Sequence, residues 1–282
     1  MFSKGKEDRA ASQARLLEEL READALKTRI LSIVAHELNT PLTPLRLQTH
    51  MLMSGALGPL SPEQTKAAQV LERNVKRLSA LVAEILDVAR LQSGRLKLSA
   101  SPSPVRAMLS EAASTYEEAA KQVGLAVLVD VPEDLQANAD AARVQQVLLN
   151  LVSNAVKFTP EGGTITLRGR STPEGTLVEV IDTGAGLEPE QIARMFQPFS
   201  QVHDTSKYPI GGTGLGLYIS RGIAEAHGGT LTVQSAGAGK GSTFRVLLPA
   251  ATARLPDRLE LDLTPKPRAA DAGLARRLRE LI

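Results

Sequence analysis

ILSIVAHELNTPLTPL, residues 30–45, has the spacing of an amphipathic helix yet carries two prolines. At about 100° per residue, Ile30, Leu31, Val34, Leu38, Leu42, Leu45 and Leu52 gather on one side. His36 points about 140–160° away from Leu31 and Leu38, with Thr40 one turn along on the same exposed face. Ile33 and Leu47 depart from the pattern and fall nearer the histidine. Pro41 cannot donate to the carbonyl of Glu37, and its ring clashes there, which predicts a bend just after the histidine. An exposed histidine is usually an ordinary surface residue. Whether His36 is more depends on whether the rest of the chain needs a nucleophile.

Leu31, Leu38, Leu45 and Leu52 recur every seven residues, the mark of a seam facing another helix. Ser54-Gly55 and Gly58-Pro59 break this helix, and Ser61-Pro62-Glu63-Gln64 starts the next as a capping box. Leu71, Val75, Leu78, Val82, Ile85 and Ala89 continue the spacing to about Leu91. Two such helices joined by a short loop cannot bury both seams alone, so pairing with a second copy into a four-helix bundle is expected. After Gln92-Ser93-Gly94 the pattern alternates between strand and helix. Strands are expected at Arg95–Ala100, Leu125–Val131, Thr164–Arg170, Leu177–Asp182, Leu231–Ser235 and Ser242–Leu248. Helices are expected at Val105–Val123, Asp140–Phe158, Glu188–Met195 and Gly214–Ala226. The fold class that follows is a helical region plus an α/β sandwich. A dimeric helical-hairpin four-helix bundle precedes a mixed, mostly antiparallel sheet with helices on one face. The expected divisions are a signalling or coiled-coil helix (1–30), the hairpin (31–93), the sandwich (94–250) and a proline-marked tail (251–282).

Composition narrows the classes. The 282 residues carry a net charge of +2, no global field for nucleic acid or an anionic membrane. Aromatic residues at 3% argue against a base-stacking single-strand binder. Cysteine is absent, which excludes thiolate metal sites and suits a reducing cytoplasm. No apolar run approaches ~18 residues, and Met1–Arg9 lacks a signal-peptide core, so a cytoplasmic chain without a membrane span is expected.

Three stretches carry chemistry. In QQVLLNLVSNAVKF (145–158), Gln146, Asn150, Asn154 and Lys157 line one helix face opposite Val144, Leu148, Leu151, Val152 and Ala155. Asparagines so placed cost helix propensity, which suggests a ligand. Their amide oxygens can join phosphate and water around Mg²⁺, although a solvated polar face reads the same way. LVEVIDTGAGLEPE (177–190) is a strand ending in Asp182, whose carboxylate can accept from an exocyclic amine. Gly184 and Gly186 there let backbone approach a flat base. The rival Asp-Thr-Gly of aspartic proteases needs two carboxylates sharing a proton, and one such triplet occurs. GGTGLGLYIS (211–220) opens a helix on glycines, a ready phosphate site. GAGKGST (237–243) mimics a phosphate loop but leads into a strand, so it reads as a hairpin turn.

In this order behind a helical hairpin, the motifs resemble the catalytic core of sensor histidine kinases of two-component signalling. HELNTP is similar to the histidine box, NLVSNAVKF to the asparagine box, DTGAGL and GGTGLGL to the glycine boxes, and FQPF to the phenylalanine box. The resemblance implies a dimerisation and phosphotransfer hairpin followed by an ATP-binding sandwich shared with Hsp90-type ATPases. It implies His36 as phosphoacceptor, Glu37 as the residue that orients and activates the imidazole, Asn154 as magnesium ligand and Asp182 as adenine contact. Asn150 and Lys157 then fall beside the phosphates, and Gly212, Gly214 and Gly216 border the lid. Phe158, Gly184, Gly186, Leu215 and Thr243 complete the implied pocket. ATP and Mg²⁺ are the implied cofactors, and the receiver domain of a response regulator the implied partner. Glu37-Leu38-Asn39-Thr40 fits the family's Glu-x-x-Thr pattern, which implies a phosphatase role for Thr40 on that partner. Thr40 reads equally well as the last polar residue before the Pro41 bend. Heptads in residues 8–35 are expected to carry input, either from a sensor on a separate protein or from a ligand felt by this helix. A non-kinase ATPase or clamp, or a scaffold on the same sandwich, is the alternative; neither needs an exposed His36.

Overall fold

Two prolines do not interrupt the first helix. α1 is continuous over residues 33–53 in this computed structural model, which describes residues 26, 30, 31, 33–200 and 212–250. Pro41 and Pro44 each remove one ladder donor. The Thr40 and Thr43 hydroxyls brace the same turns by donating to the carbonyls of His36 and Asn39, at 3.2 and 3.0 Å. α2, Pro62–Gln92, begins at the expected capping box: Gln64 N donates to Ser61 Oγ, and Ser61 N donates to Gln64 Oε1.

The hairpin closes on a different seam from the leucine heptad. Ala35 and Leu42 of α1 pack with Val82 of α2, backed by Ile85 and Leu86. Ile30, Val34, Leu38, Leu45, Leu71 and Leu78 remain 44–53% exposed. The reason is geometric: an antiparallel pair buries one stripe per helix, and small Ala35 permits close approach where the leucines would not.

The remaining chain forms β1 (Ser101–Pro104), α3 (Val105–Gln122), β2 (Ala126–Asp130), β3 (Gln136–Ala139), α4 (Ala141–Phe158), β4 (Thr164–Thr172) and β5 (Gly175–Asp182). α5 (Pro189–Ile192), α6 (Gly216–Ala226), β6 (Thr230–Gln234) and β7 (Ser242–Leu248) follow. Five strands make one sheet in the order β2-β4-β5-β7-β6, parallel only between β2 and β4. Ile165, Leu167, Val178, Val180, Phe244 and Val246 alternate inward beneath α3, α4 and α6 and form the core with Leu109, Leu148, Leu151 and Ile223. The other face carries a charge ladder across the register Asp130, Arg168, Glu179, Arg245. Glu179 accepts from Arg245 at 2.9 Å and from Arg170.

Three details differ from the sequence reading. Residues 95–100 alternate in burial but form no strand; they have no pairing partner, and Ser99 N is held by Asp140 Oδ2 at 2.9 Å. The strand lies one step later at β1, antiparallel to β3 in a two-stranded ribbon built from SPSP and QANA. Neither segment has the β-branched residues by which strands are recognised. α5 closes after one turn, and α6 starts two residues later than expected, at Gly216. The input heptads, most of the 1–30 segment and the tail beyond residue 250 lie outside the described residues.

Candidate functional site

His36 stands on the outer face of α1 with its side chain 80% exposed. Its Nδ1 faces Glu37 Oε1 at 3.4 Å. A carboxylate only accepts, so this contact is a hydrogen bond in the form of the ring that carries a proton on Nδ1, the tautomer that leaves the Nε2 lone pair free. Thr40, one turn on, has its hydroxyl proton committed to the His36 carbonyl, and its oxygen can still accept from water.

The second half of the site lies on α4, where Asp140 caps the helix through its bond from Arg143 N. The polar stripe foreseen on this helix divides by function. Gln146 turns to α2, where its Nε2 donates to Asp87 Oδ2 at 2.8 Å. Asn150 Nδ2 donates to Ser220 Oγ of α6 at 2.9 Å, and its Oδ1 lies against Gly216, where a methyl group would collide. Asn154 and Lys157, both half-buried, hold no side-chain partner among the described residues. They are therefore available to a ligand, an amide oxygen one turn from an ammonium.

Asp182 ends β5 and is 8% exposed. Its Oδ1 accepts from Gly184 N at 2.8 Å and Ser242 N at 3.2 Å. Oδ2 is left for a donor, since it accepts no bond among the described residues. Burial pushes this carboxyl up from its ordinary range, opposed by the two amides. A Cβ on Gly184 would meet the Phe158 carbonyl at 2.5 Å, so this approach of strand end to α4 requires glycine. Ala185 N donates to that carbonyl at 2.9 Å, which ties the end of α4 to the turn after β5. Gly186 bends against the Gly237 turn of the β6–β7 hairpin.

Gly214, at φ +72, abuts the backbone of Phe199 and Ser200, where Cβ would come within 2.6 Å of Phe199 C. Buried Leu215 follows, its N–H taken by Thr213 Oγ1 at 3.1 Å. A Cβ built on Gly212 meets nothing within 4 Å among the described residues. Thr243 does not join the group. It pairs with Ile181 on the ladder face of the sheet, whereas Ser242 pairs with Asp182 on the helix face. Sequence reasoning missed Ser242 by one residue, although the inward alternation Phe244, Val246, Leu248 runs back to it. Arg143 and Asp87 carried no motif and were found only by contact.

These elements fit a nucleotide with a metal: a buried carboxylate with a free oxygen, two polar side chains of α4 without partners among the described residues, and glycines that let the surrounding backbone approach closely. Residues 139–252 match the family "Histidine kinase-, DNA gyrase B-, and HSP90-like ATPase", and residues 26–94 match "His Kinase A (phospho-acceptor) domain". The chain is 33% identical over 82% of its length to the circadian input-output histidine kinase CikA of Synechococcus elongatus, covering 31% of it. It is 36% identical over 83% of its length to the sensor protein GacS of Pseudomonas syringae pv. syringae, covering 26% of it. Thus it spans about a quarter to a third of these curated relatives. Among solved structures it is similar to full-length ShkA in complex with AMPPNP, with a TM-score of 0.67 and 31% identity over 81% of this chain and 47% of that one. With both segments matched in sequence and in structure, the chain carries the phosphoacceptor and ATP-binding domains of a histidine kinase core, and its homologues are sensor histidine kinases.

Proposed function

We propose that this chain autophosphorylates His36 from ATP and passes the phosphoryl group to an aspartate on the receiver domain of a response regulator. The observation that carries the proposal is His36 itself, with its ring exposed and Nδ1 3.4 Å from Glu37 Oε1. A structural histidine would be buried and bonded at both nitrogens, as His227 is. Nε2 attacks the γ-phosphorus, the bond to the bridging oxygen breaks, and ADP leaves. Glu37 stabilises the ring charge through Nδ1. Asp182 holds the adenine amine through Oδ2, and the Gly184 bend admits the base. Asn154 is the side chain to hold Mg²⁺, which when bound neutralises phosphate charge. Asn150, Lys157 and the backbone at Gly214–Gly216 face the phosphates. The name of a relative such as CikA, a histidine kinase, supports the reading, as does the AMPPNP in the ShkA complex.

The exposed stripe Ile30, Val34, Leu38, Leu45 supports a homodimer, since stripes of this kind pack in four-helix bundles. A second activity, removal of phosphate from the regulator, is consistent with Thr40, whose oxygen can hold a water one turn from His36. The test is incubation with γ-labelled ATP and Mg²⁺, followed by a chase with receiver domain. Acid-labile, base-stable label that moves to the receiver is expected. Label that is acid-stable, or ATP hydrolysis without label, overturns the proposal in favour of a plain ATPase.

A further inference from the structure

GAGKGST (237–243) mimics a phosphate loop, and its backbone amides show what it holds instead. β6 and β7 pair as far as Gln234 and Thr243, so residues 235–241 lie in the turn between them. A phosphate loop aims its amides at an anion. Here they are spent on the protein. Gly239 N donates to Ala185 O at 2.6 Å, Gly241 N to Gly184 O at 3.1 Å, Lys240 N to Gly237 O at 3.2 Å and Gly237 N to Ser235 Oγ at 3.3 Å. Two of those four acceptors belong to the turn that follows Asp182. The same turn is met at its next two residues. A Cβ on Gly186 would lie 2.1 Å from Gly237 O, and Leu187 N donates to Ser235 Oγ at 2.9 Å. A Cβ on Gly241 would lie 2.0 Å from Asp182 O, so the two turns interlock at backbone contact. Ser235 Oγ also donates to Gly241 O at 2.7 Å. One hydroxyl thus joins the end of β6, the far end of its own turn and the turn after Asp182.

We propose that Ser235 is a positioning residue for adenine: through Leu187 N and Gly241 O it fixes the turn after Asp182, and with it the setting of Asp182 Oδ2. The inference rests on the nucleotide reading above and assigns to this seam the choice of base. Asp182 Oδ1 is held from both sides of the seam, by Gly184 N at 2.8 Å and Ser242 N at 3.2 Å. The direction of the carboxylate therefore depends on the spacing of the two turns. Adenine offers an amine N–H where guanine offers a carbonyl oxygen. An acceptor rejects the second base only while it cannot move aside, because the penalty is an unpaired polar group. A fixed seam turns one amine into selectivity, and a loosened seam admits either base. Ser235 stands outside every motif of the site, since its part is played through Leu187 and Gly241.

Binding of ATP and of GTP to the full chain with Mg²⁺ is measured by calorimetry for the parent, Ser235→Ala and Ser235→Thr. Ser235→Ala should weaken ATP about threefold to tenfold, the range for one lost hydrogen bond, and change GTP by less than about twofold. The preference for ATP then narrows. Ser235→Thr keeps the hydroxyl and should bind both nucleotides as the parent does. Labelling of His36 by Ser235→Ala should show the loss in KM with kcat kept, the pattern of weakened ground-state binding. Exchange of the Leu187 N–H should quicken in Ser235→Ala and stay slow in Ser235→Thr. One hydrogen bond is small beside the stability of a domain, so Ser235→Ala should fold, which its thermal midpoint checks. A serine with only a structural part would lower that midpoint and leave the ATP-to-GTP ratio unchanged. An unchanged ratio in Ser235→Ala overturns the proposal, and so does a Ser235→Thr that binds ATP as weakly as Ser235→Ala. A parent that binds GTP as tightly as ATP removes the adenine reading and the positioning role with it. Preference for ATP without label on His36 removes the kinase reading alone, and the binding comparison still decides the role of Ser235.

Discussion

His36 and His227 are the same residue type in opposite states, and each predicts a measurement. His36→Gln should remove acid-labile label by at least about a thousandfold, the scale of losing a nucleophile, while the far-ultraviolet spectrum and nucleotide binding are kept. His227 cannot substitute, being fully buried with Nδ1 on Ile223 O at 2.8 Å and Nε2 accepting from Asp140 N at 2.9 Å. Exposed His50 is the competitor, and label there in the variant would reject the assignment. Burial holds the His227 pKa below the ordinary histidine range. The unfolded chain thus takes up the proton first, and stability should fall as pH drops below about 6.5. Thermal midpoints at pH 7.5 and 5.5 measure this, and His227→Gln should flatten the difference while lowering both values. An unchanged slope would assign the effect to other groups. At Asp182 the expected loss is in affinity. Asp182→Asn can turn its amide oxygen to the two backbone donors but then offers an N–H where the carboxylate offers an acceptor. ATP should bind about tenfold to a hundredfold more weakly, matching ~1.5–3 kcal/mol for a charged hydrogen bond.

α1 ends at Met53 as expected, and its leucine stripe stays open to the second copy expected to cover it. Its apolar spacing is genuine, but the stripe with the larger side chains is the one left open, and the hairpin closes over Ala35 and Leu42. Leu38→Glu or Leu45→Glu should therefore spare hairpin folding and weaken self-association by at least about thirtyfold, the scale of a central interface residue. Sedimentation equilibrium reads this directly. A variant that unfolds without changing association would place these leucines inside the hairpin core. On β7 one expectation fails by a single residue. Thr243 and Ser242 look alike in sequence, and the period of two sends them to opposite faces of the sheet.

Across the whole molecule, the hairpin and the sandwich share a core. Val88 and Leu91 of α2, 7% and 1% exposed, belong to the cluster that includes Leu109, Leu148 and Ile223. A cut at Gly94, where composition changes, would strip that core of two side chains. Leu91→Ala should accordingly lower the stability of the nucleotide-binding domain by about 2–5 kcal/mol, although the residue lies in the matched phosphoacceptor segment. Urea unfolding followed by a probe in the sandwich checks this. A shift confined to the hairpin would mean that the two parts fold independently.

What the sequence by itself determined was everything encoded by local order. The capping box at Ser61, the breaks at Gly58-Pro59 and Ser93-Gly94, the 3.6 and 2.0 periods and the motif order follow from neighbours in the chain. They sufficed for the fold class and for His36, Asn154 and Asp182 as candidates. Only the tertiary structure decided which of two apolar stripes closes the hairpin, that Gln146 serves α2 while Asn154 stays open, and that Ser242 rather than Thr243 supports Asp182. It also decided that SPSP and QANA are strands, through pairing with each other. The physical reason is common to all four. Propensity and period specify how a segment curls and which of its sides is apolar, but a partner for each side is supplied by residues tens of positions away. Asp87 and Arg143, 56 residues apart, meet only when the fold brings them together.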